Sequence, residues 1–349
     1  MQGTARERPP EPETGAGRAT GADGLRQEVE VAFTRCVDEI AAGELDIPLP
    51  GSGRTTERFL ALAQVAEQDL SLVRLVEGHV DAVAILAELD GPAAAPGERW
   101  GVWAAEPPGE GLTASLGDGG WVINGRKRYC SGAHSCTHAL VTARAGDGRR
   151  LFAVATGLGS GAAGCRPVEG SWQALGMAAS DSADVVFTDV PAIPVGGVEG
   201  YVERPGFQHG GIGVAACWYG GARAVARTLV STAARRGADP LTDAHLGAVD
   251  MRLHAAGAVL AQAAAEIDKD PADTEGAGRM RSLRVRGFVE SVCADVLTHV
   301  GRATGAEPLC HNPAHTRRAT DLAVYIRQHH GERNLAELGR LAAELGEEQ

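Results

Sequence analysis

Lysine is nearly absent from this 349-residue sequence: Lys127 and Lys269 stand against 31 arginines, which make up the rest of its 33 basic residues. Acidic residues number 45, and the formal net charge is −12. A chain so acidic lacks the clustered cations that neutralise a phosphate backbone, so nucleic acid is not expected as a partner. Long apolar runs are missing too. No stretch approaches the roughly 20 uninterrupted apolar residues of a membrane span, so no membrane partner is expected either. The seven cysteines, at 36, 130, 136, 165, 217, 293 and 310, are odd in number and never form a CxxC pair. They read as reduced, mostly buried thiols. Residues 1–23 are polar, rich in Pro and Gly and without an apolar h-region, which predicts a disordered tail rather than a secretory signal. The expected compartment is therefore the cytoplasm. No Walker loop and no GxGxxG in a strand–helix context is present.

What remains is an ordinary globular composition, 44% hydrophobic and 22% charged, in a chain long enough for two or three structural units. Three textures follow one another. Over 24–98 apolar residues recur at helical spacing, in a run with Val29, Phe33 and Val37, another with Phe59, Leu62 and Val65, and a third from Leu70 to Leu86. Asp69 or Ser71 is placed to cap the third helix. Over 99–198 short β-type runs alternate with Gly-rich turns at Gly117-Asp118-Gly119, Asn124-Gly125 and Gly146-Asp147-Gly148. This predicts an antiparallel sandwich or barrel whose last strand ends at Val190-Pro191. Over 199–349 helical periodicity returns in four segments, about 207–236, 242–269, 276–303 and 313–346. Asp239-Pro240, Asp270-Pro271 and Asn312-Pro313 break them. Four such helices form a bundle, so the expected class is α+β: helices, a β-domain, then a four-helix bundle.

Specific residues match that order. Val102-Trp-Ala-Ala-Glu106-Pro107-Pro-Gly109-Glu-Gly111 resembles the TEPGAGSD segment of the acyl-CoA dehydrogenase family. Asn124-Gly125-Arg-Lys127-Arg-Tyr129-Cys130-Ser131-Gly132-Ala133 is similar to its NGxKxWITNGA strand. Trp172-Gln-Ala-Leu175-Gly176-Met177, with Asp184-Val-Val-Phe187-Thr-Asp189-Val190, resembles the LGMRGS…VxFxDVxVP segment that closes its β-domain. The resemblance covers roughly residues 55–345.

It implies an FAD flavoprotein that oxidises the Cα–Cβ bond of an acyl thioester carried on coenzyme A or a carrier protein. A carboxylate takes the α-proton while hydride passes to the flavin, and electron-transfer flavoprotein or another acceptor receives the electrons. By resemblance, Ala104, Ala105 and Glu106 line one flavin strand, Tyr129 packs on the ring and Ser131 reaches its edge. The family's Thr is Ala105 here, and Gly111-Leu112-Thr113 stands near the Ser of GSD. A homodimer or homotetramer is implied, in which Arg235 or Arg236 near Gly237, and the loop Gly301 to Thr304 and Gly305, reach the pyrophosphate and adenine. The catalytic Glu has no direct counterpart. Alignment from Asp321 puts His329 or His330 at its place, and the alternative place on the first bundle helix falls on Gly210, beside His209. Four readings stay open. A histidine is the base; the site runs the oxygen-activating chemistry of the monooxygenase branch, which lacks the Glu and often carries His here; Glu332 swings in; or the chain is a silent scaffold without flavin.

Other residues take plainer readings. His329-His330 also fits a polar helix face at a bundle end. His134-x3-His138 lies on a strand, where i and i+4 are far apart, and His311-x3-His315 spans a break, so no metal site is expected. Trp103, Trp121 and Trp172 suit a β-core, and Cys130 and Cys136 read as inert.

Overall fold

The structure, a computed structural model, describes residues 19–107, 109, 111–157, 164–237 and 239–347. Helix α1 (Ala19–Ala42) begins inside the stretch expected to be a tail, because a buried stripe of Val29, Phe33, Cys36 and Val37 holds it to the core. Residues 1–18 of that expected tail lie outside the described residues. Helices α2 (Thr55–Gln68) and α3 (Leu70–Glu88) are separated by Asp69 alone. Its extended backbone breaks the helix, and its carboxylate accepts the Leu72 N–H at 2.9 Å, capping α3.

Seven strands follow: β1 (Trp100–Trp103), β2 (Thr113–Gly117), β3 (Gly120–Cys130), β4 (His138–Ala145), β5 (Gly148–Ala155), β6 (Gly164–Pro167) and β7 (Ala183–Val195). Pairings β4–β2, β2–β3, β3–β7, β7–β5 and β5–β4 close a barrel, with β1 added on β4 and β6 on β7. The expected antiparallel arrangement is corrected in two places, since β1 and β2 both run parallel to β4. Asn124-Gly125 is not a tight turn but a bulge within β3. There the register to β7 slips, and the Asn124 amide bonds to Asp189. Gly125 sits at φ 120°, and a Cβ would stand 2.6 Å from the Gly111 carbonyl. Strand β7 also overruns its expected end at Pro191. Its prolines lie where it leaves β3 after Ala192 and joins β5 from Ile193, which suits residues that donate no ladder hydrogen bond.

The last region holds α4 (Gly200–Glu203), α5 (Pro205–Arg236), α6 (Pro240–Lys269), α7 (Gly278–Thr304), α8 (Glu307–His311), α9 (Pro313–Tyr325) and α10 (Glu332–Glu347). Asp239 and Asn312 cap α6 and α9, each ahead of a proline in the first turn. The expected fourth helix over 313–346 is therefore two. A 3₁₀ turn at Ile326–Gln328, extended His329 and Gly331 at φ 51° separate α9 from α10. One buried cluster runs from Phe33 and Leu62 through Trp103 and Ile123 to Trp218 and Val289, so helices from both ends of the chain and the barrel share a core. Among the described residues no helix is long and apolar enough to cross a membrane.

Candidate active site

Between barrel and helices lies a cleft with two adjoining lobes. The larger, about 850 Å³, is walled by the irregular segment after β1 (Ala104 to Pro107), by Tyr129 and Trp172, by Met177, Ser180 and Ser182, and by Val324 and Tyr325 at the end of α9. The smaller, about 560 Å³, opens between α3, α5 and α7. Arg74, Val102, Ala104, Ala105, Glu106, Gln328 and His330 line both. These volumes are in the range of small-molecule and cofactor sites.

The barrel wall is built by one unusual turn. Met177 and Asp181 both take left-handed backbone, at φ 59° and 48°, on either side of a single 3₁₀ turn. Asp321 of α9 accepts the Met177 N–H at 2.6 Å; burial pushes its carboxyl up to about 6. Asp181 accepts the His134 N–H at 2.8 Å and binds its ring Nδ1 at 2.9 Å, which raises the imidazole pKa. His134 lies in the turn after β3, not on a strand, and is committed to this contact. The turn sets Ser180 and Ser182 side by side, their hydroxyls 2.9 Å apart, in the lobe's lining.

Ala104, Ala105, Glu106 and Tyr129 line the cleft, Tyr129 in left-handed backbone (φ 61°) and 47% exposed as a residue. Ser131 is corrected. It is buried outside the lining, beside Trp103, whose indole N–H donates to its carbonyl at 2.9 Å. Arg235, Thr304 and Gly305 do not reach either lobe: Arg235 bonds Thr232, Thr304 bonds the Val300 carbonyl, and Gly305 ends α7 at φ 68°.

The two candidate bases part company. His329 is turned away from the cleft, packed near Gly287 and Leu335 with Asn334 at its Nδ1, and burial lowers its pKa. His330 faces both lobes. Backbone geometry decides this, because extended His329 sends consecutive side chains to opposite sides. Glu332 lines neither lobe, and His209 bonds the Pro271 carbonyl at 3.0 Å.

Sequence reasoning missed the charged wall of the smaller lobe. Arg74, Glu77 and Asp81 lie at i, i+3 and i+7 of α3, a spacing that puts three charges on one face and was the available signal. Arg74 pairs with Glu77 at 2.6 Å. Desolvation pushes the 4%-exposed Glu77 carboxyl up to about 7 despite that partner. Arg204 bonds Glu88 at 2.6 Å. Arg286 of α7 stacks 4.7 Å from the Trp218 ring, donates to the Gly211 and Gln328 carbonyls, and burial lowers it to about 10.

Solved structures superpose on more than nine-tenths of the chain. Butyryl-CoA dehydrogenase from Megasphaera elsdenii matches at TM-score 0.72 and 18% identity, over 92% of this chain and 90% of its own. The chain has the acyl-CoA dehydrogenase fold. Dibenzothiophene monooxygenase TdsC from Paenibacillus sp. A11-2, also solved with FMN, shares this fold at 0.73 and 20% identity, over 91% and 96%. So does KijD3, solved with FMN and dTDP-3-amino-2,3,6-trideoxy-4-keto-3-methyl-D-glucose, at 0.72 and 19%, over 96% and 95%. No family model matches the sequence. The amino sugar nitrososynthase RubN8 of Streptomyces rubradiris is 32% identical over 133 residues, and the match spans 36% of this chain and 31% of that protein.

Proposed function

We propose that this acyl-CoA dehydrogenase-fold protein is a flavin-dependent monooxygenase, with flavin in the larger lobe and a polar small molecule in the smaller one. The observation that carries this reading is the placement of acid–base groups. The positions where α-proton abstraction needs a carboxylate hold Gly210 and the averted His329, while His330 stands at the junction of the lobes. The charged groups of Arg74, Glu77 and Arg286 also make a poor wall for an acyl chain, since apolar atoms cannot satisfy them. Tyr129, the Ser180–Ser182 hydroxyls and the backbone of Ala104 to Glu106 fit a flavin ring, which supplies two electrons to dioxygen when reduced. FMN needs this cleft alone. FAD would draw on Arg235, Thr304 and Gly305 of a second copy, in a homodimer or homotetramer.

Dehydrogenation of an acyl thioester, with electron-transfer flavoprotein as acceptor, is the competing reading, and one experiment separates the two. Protein loaded with flavin is mixed without air with a panel of acyl-CoA thioesters, and separately reduced and exposed to isotopically heavy dioxygen with candidate substrates. Heavy oxygen in a product, with no thioester bleaching the flavin, is the expected result. Anaerobic bleaching by an acyl-CoA would overturn it. A colourless protein that takes up neither FMN nor FAD would remove both readings and leave the scaffold.

A further inference from the structure

Five arginines line the smaller lobe, and the fold matches four of them with carboxylates. Arg74 pairs with Glu77, Arg204 with Glu88 and Arg279 with Glu337, each at 2.6 Å, and Arg149 is held by Glu106 and Glu199. Arg286 is the exception. It forms no ion pair among the described residues, and the acid one turn further along α7, Glu290, is taken by Arg327. Its guanidinium stacks on Trp218 and gives two N–H groups to the Gly211 and Gln328 carbonyls, which leaves three of its five unused. Arg286 is only half-buried, and none of its nitrogens is both sealed from water and unpartnered, so the unused donors open to the lobe it lines. Charge at this wall is one short. Arg74 and Arg286 have the single carboxyl of Glu77 to answer both, and burial holds that group up at about 7, where it is only partly ionised. The neighbours do not close the gap, since Arg58 and Arg204 stand against Asp81 and Glu88. Arg286 lines the smaller lobe and not the larger, so flavin in the larger lobe would not supply the missing charge.

We propose that Arg286 anchors a carboxylate of the substrate, so that the smaller lobe selects a small molecule carrying one such group. This rests on the reading that the smaller lobe holds the substrate, and narrows it from a polar molecule to a monocarboxylate. A desolvated guanidinium without a counter-charge is unfavourable, and a bound anion removes that penalty. A carboxylate suits it best, because its two oxygens meet the planar fork of N–H groups with two parallel hydrogen bonds. One missing charge also favours a monoanion over a phosphomonoester, which carries about two.

The test is equilibrium binding, read by calorimetry, to the protein with flavin added. The probes are benzoate, its neutral isostere benzamide, and phenyl phosphate. Wild-type protein is expected to prefer benzoate to benzamide by about tenfold or more, the worth of one charge-assisted hydrogen bond, and to bind phenyl phosphate less tightly than benzoate. Arg286→Gln should bring benzoate and benzamide within about twofold of each other while flavin binding persists. Arg286→Lys keeps the charge and loses the planar fork; it should weaken the preference by about threefold or more, and it decides the matter if the glutamine variant fails to fold. Arg279→Gln removes a lining arginine already matched by Glu337 and should leave the preference as in wild type. Equal affinity for benzoate and benzamide in wild type, failure to bind any probe, or tighter binding of phenyl phosphate overturns the proposal. So does a preference undiminished in either Arg286 variant, or one lost in Arg279→Gln. Binding needs no dioxygen, so this result stands apart from the heavy-oxygen experiment. Oxygen transfer to a neutral substrate with no preference for benzoate would sink this inference and leave the monooxygenase; a preference with no oxygen transfer would do the reverse.

Discussion

At the scale of single residues, the cleft turns on two adjacent histidines with opposite fates. His330 lines both lobes, where on the monooxygenase reading it would donate and accept protons; His329 is only 6% exposed and packs beneath α10. Their substitutions should therefore separate cleanly. His330→Asn is expected to lower product formation by roughly a hundredfold, the scale of a lost acid–base group, while the flavin still reoxidises. His329→Ala should leave activity per folded molecule unchanged and cost about 1–3 kcal/mol in denaturant unfolding, as buried ring contacts are lost. The reverse pattern would reassign the catalytic histidine. From the sequence alone the pair was ambiguous, because the choice depends on one backbone torsion region between α9 and α10 rather than on residue type.

At the scale of elements, α3 is the part that ties fold to site. Asp69 caps its start and also pairs with Arg317 of α9 at 2.6 Å, so Asp69→Ala should cost about 1 kcal/mol for the cap alone, read by denaturant unfolding. Farther along, the 5%-exposed His79 accepts the Trp100 N–H through Nδ1 at 3.3 Å, joining α3 to β1. That contact needs the neutral ring, and burial lowers the imidazole from 6.5 to about 4. A depressed pKa means the folded state binds fewer protons than the unfolded one. The stability His79 contributes is thus complete above pH 6.5 and lost as pH falls through about 4. Glu77 and Asp321 act with the opposite sign. Their raised carboxyls, to about 7 and about 6, contribute stability at low pH that is lost as pH rises through those values. His79→Asn should flatten the fall in Tm between pH 6.5 and 4. An unchanged slope would mean that another group governs acid lability. The third helix itself was readable from its apolar periodicity. The charges on it were visible but carried no reading until the barrel was seen to face them.

At the scale of the whole molecule, the cleft exists because barrel and helices meet at a few close contacts. At Gly176, a Cβ would lie 2.1 Å from the Thr320 carbonyl of α9, so this glycine lets the barrel touch the helix that carries Tyr325. Gly176→Ala is expected to force the two apart, costing about 1–3 kcal/mol by overpacking and weakening flavin uptake together. Normal flavin affinity in a destabilised variant would show that the lobe does not depend on this contact. Flavin that binds only the folded chain should raise Tm with concentration, by about 2.7 kcal/mol of stability at a hundredfold excess over Kd.

The sequence by itself determined the order of helices, barrel and helices. Periodicity, caps such as Asp239-Pro240 and ordered motifs are local features that survive without coordinates. It also placed Ala104, Ala105, Glu106 and Tyr129, because each lies on or just after a strand whose motif is contiguous. Only the tertiary structure decided that Asn124-Gly125 bulges within a strand, since a neighbouring strand's register makes the bulge. Only it buried Ser131 outside the cleft, set Ser180 and Ser182 in the lining, and turned His329 away while leaving His330 there. It alone brought Asp81 to the space left by Gly210, because 129 positions of sequence separate two side chains that share one wall. Contacts of that kind are set by how elements pack, and no local pattern encodes them.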